Sequence, residues 1–130
     1  LIRQTPHQNP ENVRSGLNFY IDTLEAYGLH DRIKVIASGK LITPAEVAWA
    51  YCVGADFVTS ARGFMFSLGC IQALKCNKNT CPTGITTHDM RLQRGLVPEE
   101  KAVRVKNFAG KIHYGVSLIA ILVELQMRVN

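Results

Sequence analysis

No apolar run in this sequence of 130 residues approaches the ~18 needed to span a bilayer. The longest, Val116 to Leu125, is interrupted by Ser117 and Glu124. A membrane partner is therefore not expected. Nor does a signal peptide open the chain, since Arg3, Gln4, His7, Gln8 and Asn9 follow the first two residues; a cytoplasmic location is the expectation. Acidic residues are the scarcer charge, 10 against 15 Lys and Arg, for a net +5. Such a balance suits phosphate or nucleic acid. Yet no stretch interleaves aromatic and basic side chains in the way that stacks bases, so nucleic acid is not expected. Low-complexity tracts and internal repeats are missing too. With 47% hydrophobic residues, the chain has the material for a core and is not a disordered tail. It falls short of the roughly 200–250 residues of a (β/α)8 barrel, and it opens on Leu1 rather than Met. Both suggest a piece of something longer.

The first half alternates helical and strand patterns. Asn9 reads as an N-cap and Pro10 as the first helical residue. Val13, Leu17, Tyr20, Ile21 and Leu24 share one face of a helix expected over Glu11 to Tyr27, with Gly28 as its stop. Ile33 to Ala37 is a β-branched run and predicts a strand ending in Ser38-Gly39-Lys40. Thr43 with Glu46 forms a capping box around Pro44. The helix that follows should turn Val47, Ala48, Tyr51 and Cys52 inward and stop at Gly54. A second strand is expected at Asp56 to Thr59, ending in Ser60-Ala61-Arg62-Gly63. Both strands are short and nearly all apolar, as when helices cover both faces. The pattern is that of an α/β unit with a parallel pair. Such folds place ligands where these two strands finish, among Ser, Gly and a basic residue. Beyond them, Phe64 to Leu74 has helical spacing, and a loop runs to about Asp89. A long helical pattern follows from Pro98 to about Arg128, with Val105, Phe108, Ile112, Val116, Ile119 and Val123 recurring at steps of three and four. Gly110 and Gly115 mark a bend or break in it.

Four cysteines are present. Cys52 lies mid-helix and reads as a free core thiol. Cys70, Cys76 and Cys81 fall within twelve residues as C-x5-C-x4-C, and Cys81 precedes Pro82. A disulfide framework would leave one thiol over, and nothing signals secretion. A zinc site usually uses C-x2-C pairs; that spacing is missing, although His88 is available as a fourth ligand. An iron–sulfur cluster on three thiolates fits the spacing best, with Lys75 and Lys78 offsetting its charge. Spacing alone leaves zinc and coincidental structural cysteines open. His88 and His113 read as surface or packing residues.

Taken together, these residues resemble the FMN-binding domain of the glutamate synthase family, in particular its shorter flavin-binding members. The likeness rests on Gly69-Cys70-Ile71-Gln72-Ala73 and on Cys76-Asn77-Lys78-Asn79-Thr80-Cys81-Pro82-Thr83-Gly84. It rests also on Ile36-Ala37-Ser38-Gly39-Lys40 and on Gly54-Ala55-Asp56 through Ser60-Ala61-Arg62-Gly63. Asn77 departs from the His that relatives often carry there. The resemblance implies an α/β fold, the C-terminal part of a (β/α)8 TIM barrel followed by a cysteine loop and a long helical segment. Residues 1–130 would form one partial domain: 1–66 the last β/α units, 67–90 the iron–sulfur loop, 98–128 the C-terminal helices. It implies an FMN phosphate on Ser38, Gly39, Lys40, Ser60, Ala61, Arg62 and Gly63, and a [3Fe–4S] cluster on Cys70, Cys76 and Cys81. The reaction it implies is reduction of 2-iminoglutarate, made from 2-oxoglutarate and glutamine-derived ammonia, to glutamate. Electrons would come from ferredoxin or an NADPH-linked subunit. No residue stands out as a catalytic acid or base. The alternatives are an inactive fragment that self-associates, or a zinc-binding interaction module.

Overall fold

The computed structural model describes residues 10–129. In order, its elements are α1 (Pro10–Ala26), a 3-10 turn (His30–Arg32), β1 (Ile36–Ser38), α2 (Pro44–Val53) and β2 (Phe57–Thr59). Then come α3 (Ala61–Ser67), a second 3-10 turn (Cys76–Lys78), α4 (Met90–Gln93) and α5 (Pro98–Val129). The chain divides into two compact units, Leu1–Arg62 with Ile112–Asn130, and Gly63–Lys111. The expected cap at Asn9 and the inward side chain of Val13 lie outside the described residues.

In the first unit, α1 buries Leu17, Ile21 and Leu24 on one face. Each such side chain contributes roughly 1.5–3 kcal/mol relative to exposure. They join Val35, Ala37, Leu41, Val47, Ala50 and Ala55 in one core, with Ile112 and Val116 of α5 packed against it. α2 begins as expected. Thr43 Oγ1 accepts from the Glu46 backbone N–H, and Glu46 Oε2 accepts from the backbone N–H of Thr43 at 2.8 Å and of Ile42 at 2.9 Å. Partial burial pushes the Glu46 carboxyl up, but these N–H donors outweigh it, so it sits below its ordinary value. β1 and β2 pair in parallel with Ile36 opposite Phe57 and Ser38 opposite Thr59. Asp56 ties them at the entrance: one oxygen accepts from Lys34 Nζ at 2.7 Å, the other from the Val35 backbone N–H at 2.9 Å. The Lys34 hydrogen bond, then that of Val35, holds the Asp56 carboxyl below its usual value.

The barrel expectation is overturned. The chain is mostly helical, and among the described residues its two strands have three residues each and form one two-stranded sheet. A helix–strand–helix–strand pattern is common to any such unit, and closing a barrel needs further strands on both edges. Burial departs as well. Phe57 is 56% exposed and Thr59 is exposed, so one side of β2 is not covered by a helix. Cys52 is exposed rather than a core thiol, and Tyr20 and Tyr51 also reach solvent. α2 is apolar almost all round, so its sequence defines no single inward face.

The second unit holds most of α3. This helix starts at Ala61, within the expected loop, and ends at Ser67 instead of continuing to Leu74. Its Phe64 ring meets Phe108 of α5 edge-on at 5.0 Å. α5 runs unbroken through Gly110 and Gly115. In the first unit a side chain at Gly115 would begin 2.5 Å from Pro44 Cβ, so this glycine serves close approach, not a bend. From Ile121 onward the described side chains of α5 are exposed, including Ile121, Leu122, Leu125 and Met127. By length and composition α5 is one helix able to cross a membrane, which the interrupted Val116–Leu125 run did not suggest. Ile112 and Val116 instead pack on the first unit's core.

Candidate functional site

The cysteine loop grows from the end of α3. The backbone N–H of Gly69 donates to the Phe66 carbonyl at 2.9 Å, and that of Cys70 to the Met65 carbonyl at 3.0 Å. This paired closure stops the helix and sets Cys70 at the loop's start. Cys76 opens the second 3-10 turn. Cys81 follows Asn79, whose left-handed φ of 58° reverses the chain. The return is clamped: Thr87 Oγ1 donates to the Asn79 carbonyl, the His88 backbone N–H donates to Asn79 Oδ1, and Gln93 Nε2 donates to the Thr87 carbonyl. A side chain at Gly84 would strike the Leu92 carbonyl, and its φ is 79°. Here only glycine fits.

Cys70, Cys76 and Cys81 line one open depression, together with Ile71, Ala73, Leu74, Lys75, Pro82 and Thr83. Among the described residues, no three His, Cys, Asp or Glu side chains converge on one metal position. A single zinc ion needs that convergence, and His88 is exposed and does not line the depression. A cluster makes a different demand. Each thiolate ligates a different iron, so its cysteines stand around a space instead of meeting at a point.

Cys70 is half-buried, Cys76 exposed and Cys81 buried. The Thr83 hydroxyl, 3.3 Å from the Cys81 sulfur, and then the Thr86 backbone N–H favour the thiolate. They outweigh the burial that opposes it and lower the Cys81 thiol from 9.0 to about 6. Thr86 Oγ1 is buried; the Cys81 thiol is the group it faces, at a geometry too loose for an ordinary hydrogen bond. Gln72 and Leu74 hold left-handed φ values of 55° and 54°, each a strain of order 1–3 kcal/mol for such residues. Three thiols, one of them lowered by its threonine neighbours, are a donor set that suits a group rich in iron and sulfide.

The other expected site residues lie mainly in the first unit. Pairing of Ser38 with Thr59 sets the ends of β1 and β2 side by side. Gly39 and Lys40 both have left-handed φ, 132° and 51°. The Ser60 hydroxyl donates to the Leu41 carbonyl, fastening the two strand ends together. Ala61 and Arg62 stand in the first turn of α3. Gly63 is buried and belongs to the second unit. Of the residues that shape the cysteine loop, Asn79 and Thr83 stand in the quoted motif with no role assigned, and Thr86, Thr87 and Gln93 were missed. The one readable signal was Asp89, whose carboxylate caps α4 by accepting from the Arg91 N–H at 2.9 Å.

A family model described as a conserved region in glutamate synthase matches residues 13–123. The glutamate synthase large subunit-like protein YerD of Bacillus subtilis is 50% identical over 101 residues, 77% of this chain and 19% of that protein. An archaeal NADPH glutamate synthase from Methanocaldococcus jannaschii is 38% identical over 84 residues, 65% of this chain and 16% of that protein. The NADH glutamate synthase of Schizosaccharomyces pombe is 38% identical over 72 residues, 55% of this chain and 3% of that protein. The chain thus spans less than a fifth of the length of these relatives. With a match across nearly its whole length, it belongs to the glutamate synthase family.

Proposed function

We propose that this chain is the cofactor-bearing part of a glutamate synthase-type flavin-dependent oxidoreductase, working in the cytoplasm, and that alone it is inactive. The observation that carries this reading is the gathering of Cys70, Cys76 and Cys81 around one depression. These three would hold a [3Fe–4S] cluster. Lys75 would offset its charge, and the Thr86 hydroxyl would give it a hydrogen bond. The phosphate of FMN would rest on Ser38, Gly39 and Lys40 and on Ser60, Ala61 and Arg62, with Gly63 completing the expected sequence. Successive positive φ values at Gly39 and Lys40 make a tight turn directly after β1, where glycine lets the backbone approach a ligand closely. When bound, the two groups supply the electron-transfer chemistry that reduces 2-iminoglutarate, formed from 2-oxoglutarate and ammonia, to glutamate. The protein's task is to hold, orient and insulate them. Electrons would arrive from ferredoxin or an NADPH-linked subunit. Expressed by itself, the chain would self-associate through the bare apolar end of α5.

Anaerobic reconstitution with iron and sulfide tests the reading. The chain should retain about three to four irons, and Cys76→Ser should abolish retention. Cys52→Ser, changed at an exposed thiol outside the loop, should not. Equal iron in all three proteins would sink the cluster assignment.

A further inference from the structure

Cys70 and Cys81 differ in how negative charge beside them is met. At Cys81 the Thr83 hydroxyl and the Thr86 backbone N–H favour the thiolate. At Cys70 the nearest backbone donors are already used: the Gly69 N–H closes on the Phe66 carbonyl, and the Cys70 N–H on the Met65 carbonyl. What stands there instead is charge. Lys101 Nζ and Arg104 Nη1 of α5 lie 3.5 and 3.9 Å from where a side chain at Gly69 would begin. Chain neighbours apart, no other atom of the described residues lies within 4 Å of that point. The absence of a side chain at Gly69 thus leaves room for both cations. Consecutive Cα atoms are about 3.8 Å apart, which places both cationic atoms within about 9 Å of the Cys70 Cα. Lys101 is half-buried and Arg104 exposed, and among the described residues neither joins an ion pair. Two like charges held toward one point, with no acid in contact, repel each other. An anionic group at Cys70 would offset that repulsion.

We propose that Lys101 and Arg104 raise the reduction potential of the cluster held at Cys70, Cys76 and Cys81. The proposal rests on the cluster reading above. Reduction adds one electron, given up by the reductant, to a group already anionic through its thiolates; no atom is gained or lost. A fixed cation nearby interacts more strongly with the reduced form and so shifts the equilibrium toward reduction. Hydrogen bonds to the sulfurs act in the same direction. With the Gly69 and Cys70 N–H groups committed to ending α3, the two side chains take that part at Cys70. At about 10 Å in a partly exposed site, loss of both charges should change a one-electron equilibrium roughly tenfold. A purely structural role, attraction to the carbonyl end of α3, would change stability and leave the potential where it was.

The test uses the full 130-residue chain, reconstituted anaerobically with iron and sulfide and titrated with dithionite in the presence of redox mediators. The oxidised fraction is read from its EPR signal. Lys101→Met/Arg104→Gln should lower the reduced-to-oxidised ratio at a given ambient potential about tenfold, a midpoint lower by about 59 mV for one electron. Lys101→Arg/Arg104→Lys keeps both charges and should stay within about twofold of wild type. Lys106→Gln removes an exposed cation on another face of α5 and should also stay within about twofold. The gap between wild type and the neutralised variant should narrow as salt rises from about 50 to 500 mM, because the exposed Arg104 is screened. Far-UV circular dichroism and iron content show that each variant is folded and loaded. Should the double variant fail to load, Arg104→Gln alone, changed at an exposed position, should lower the ratio about threefold. An unchanged midpoint in the loaded neutralised chain would overturn the proposal and leave the cluster reading intact. So would an equal drop in the charge-conserving pair, which would mean packing, or in Lys106→Gln, which would mean overall net charge. Wild type that retains no iron would sink the cluster reading, and this proposal with it.

Discussion

Thr43 and Glu46 decide where α2 begins, and both are legible in the sequence because a capping box is a contact between neighbours three residues apart. Thr43→Ala removes the hydroxyl that accepts from the Glu46 N–H. The expected loss is about 1 kcal/mol, read as a lower urea midpoint at unchanged slope. Asp56 works over a longer span, joining β2 to Lys34 and Val35, and no local pattern announces it. Its carboxyl and that of Glu46 lie below their ordinary values of 3.8 and 4.5. A group whose folded value is depressed stabilises the fold above its unfolded value, and the benefit fades as pH falls through the folded one. Stability should therefore decline as pH drops below about 4, and Asp56→Asn should flatten that decline in thermal melts taken across the acid range. Cys52 shows the limit of residue-level reading. Its neighbours are nearly all apolar, so its exposure follows from which side of α2 meets α1, a tertiary fact.

At the scale of elements, helix ends were readable and helix faces less so. Gly28 and Gly54 stop α1 and α2 as their positions suggest. α3 ends early because Gly69 closes it, although apolar spacing continues to Leu74. The glycines of α5 looked alike in sequence and differ in surroundings. A side chain at Gly110 would begin with nothing within 4 Å of it, whereas one at Gly115 would face Pro44. Gly110→Ala should stabilise by roughly 0.5–1 kcal/mol through helix propensity. Gly115→Ala gains the same propensity but meets Pro44, and should be net destabilising. Opposite shifts in melting temperature are the expected result; shifts of one sign would refute the packing argument. In the cysteine loop, spacing identified the three thiols. The clamp around Asn79 was hidden, because Thr87 and His88 reach it from eight and nine residues along the chain.

At the scale of the whole molecule, the order of motifs carried the family and misled about the architecture. The family resemblance implied a barrel, yet closure depends on partners that the two described strands do not supply. The apolar end of α5 raises the matching question for helices. Leu118, Ile121, Leu122 and Leu125 are between 43% and 57% exposed and, spaced three and four residues apart, share one helix face. The isolated chain should elute from size-exclusion chromatography as an oligomer, and Leu118→Glu/Leu122→Glu should shift it toward the monomer. A wild-type monomer at micromolar concentration would refute self-association.

The parallel pairing of β1 with β2 also carries a kinetic consequence. Ile36 and Phe57 are partners although the whole of α2 lies between them, so neither strand can form by itself. Among the described residues β1 has no strand partner until β2 has been synthesised and α2 has folded back to shorten the connection. The caps on α2 thus act on time as well as on stability: by settling the crossover early, they limit how long the nascent strand edge stays open to wrong partners.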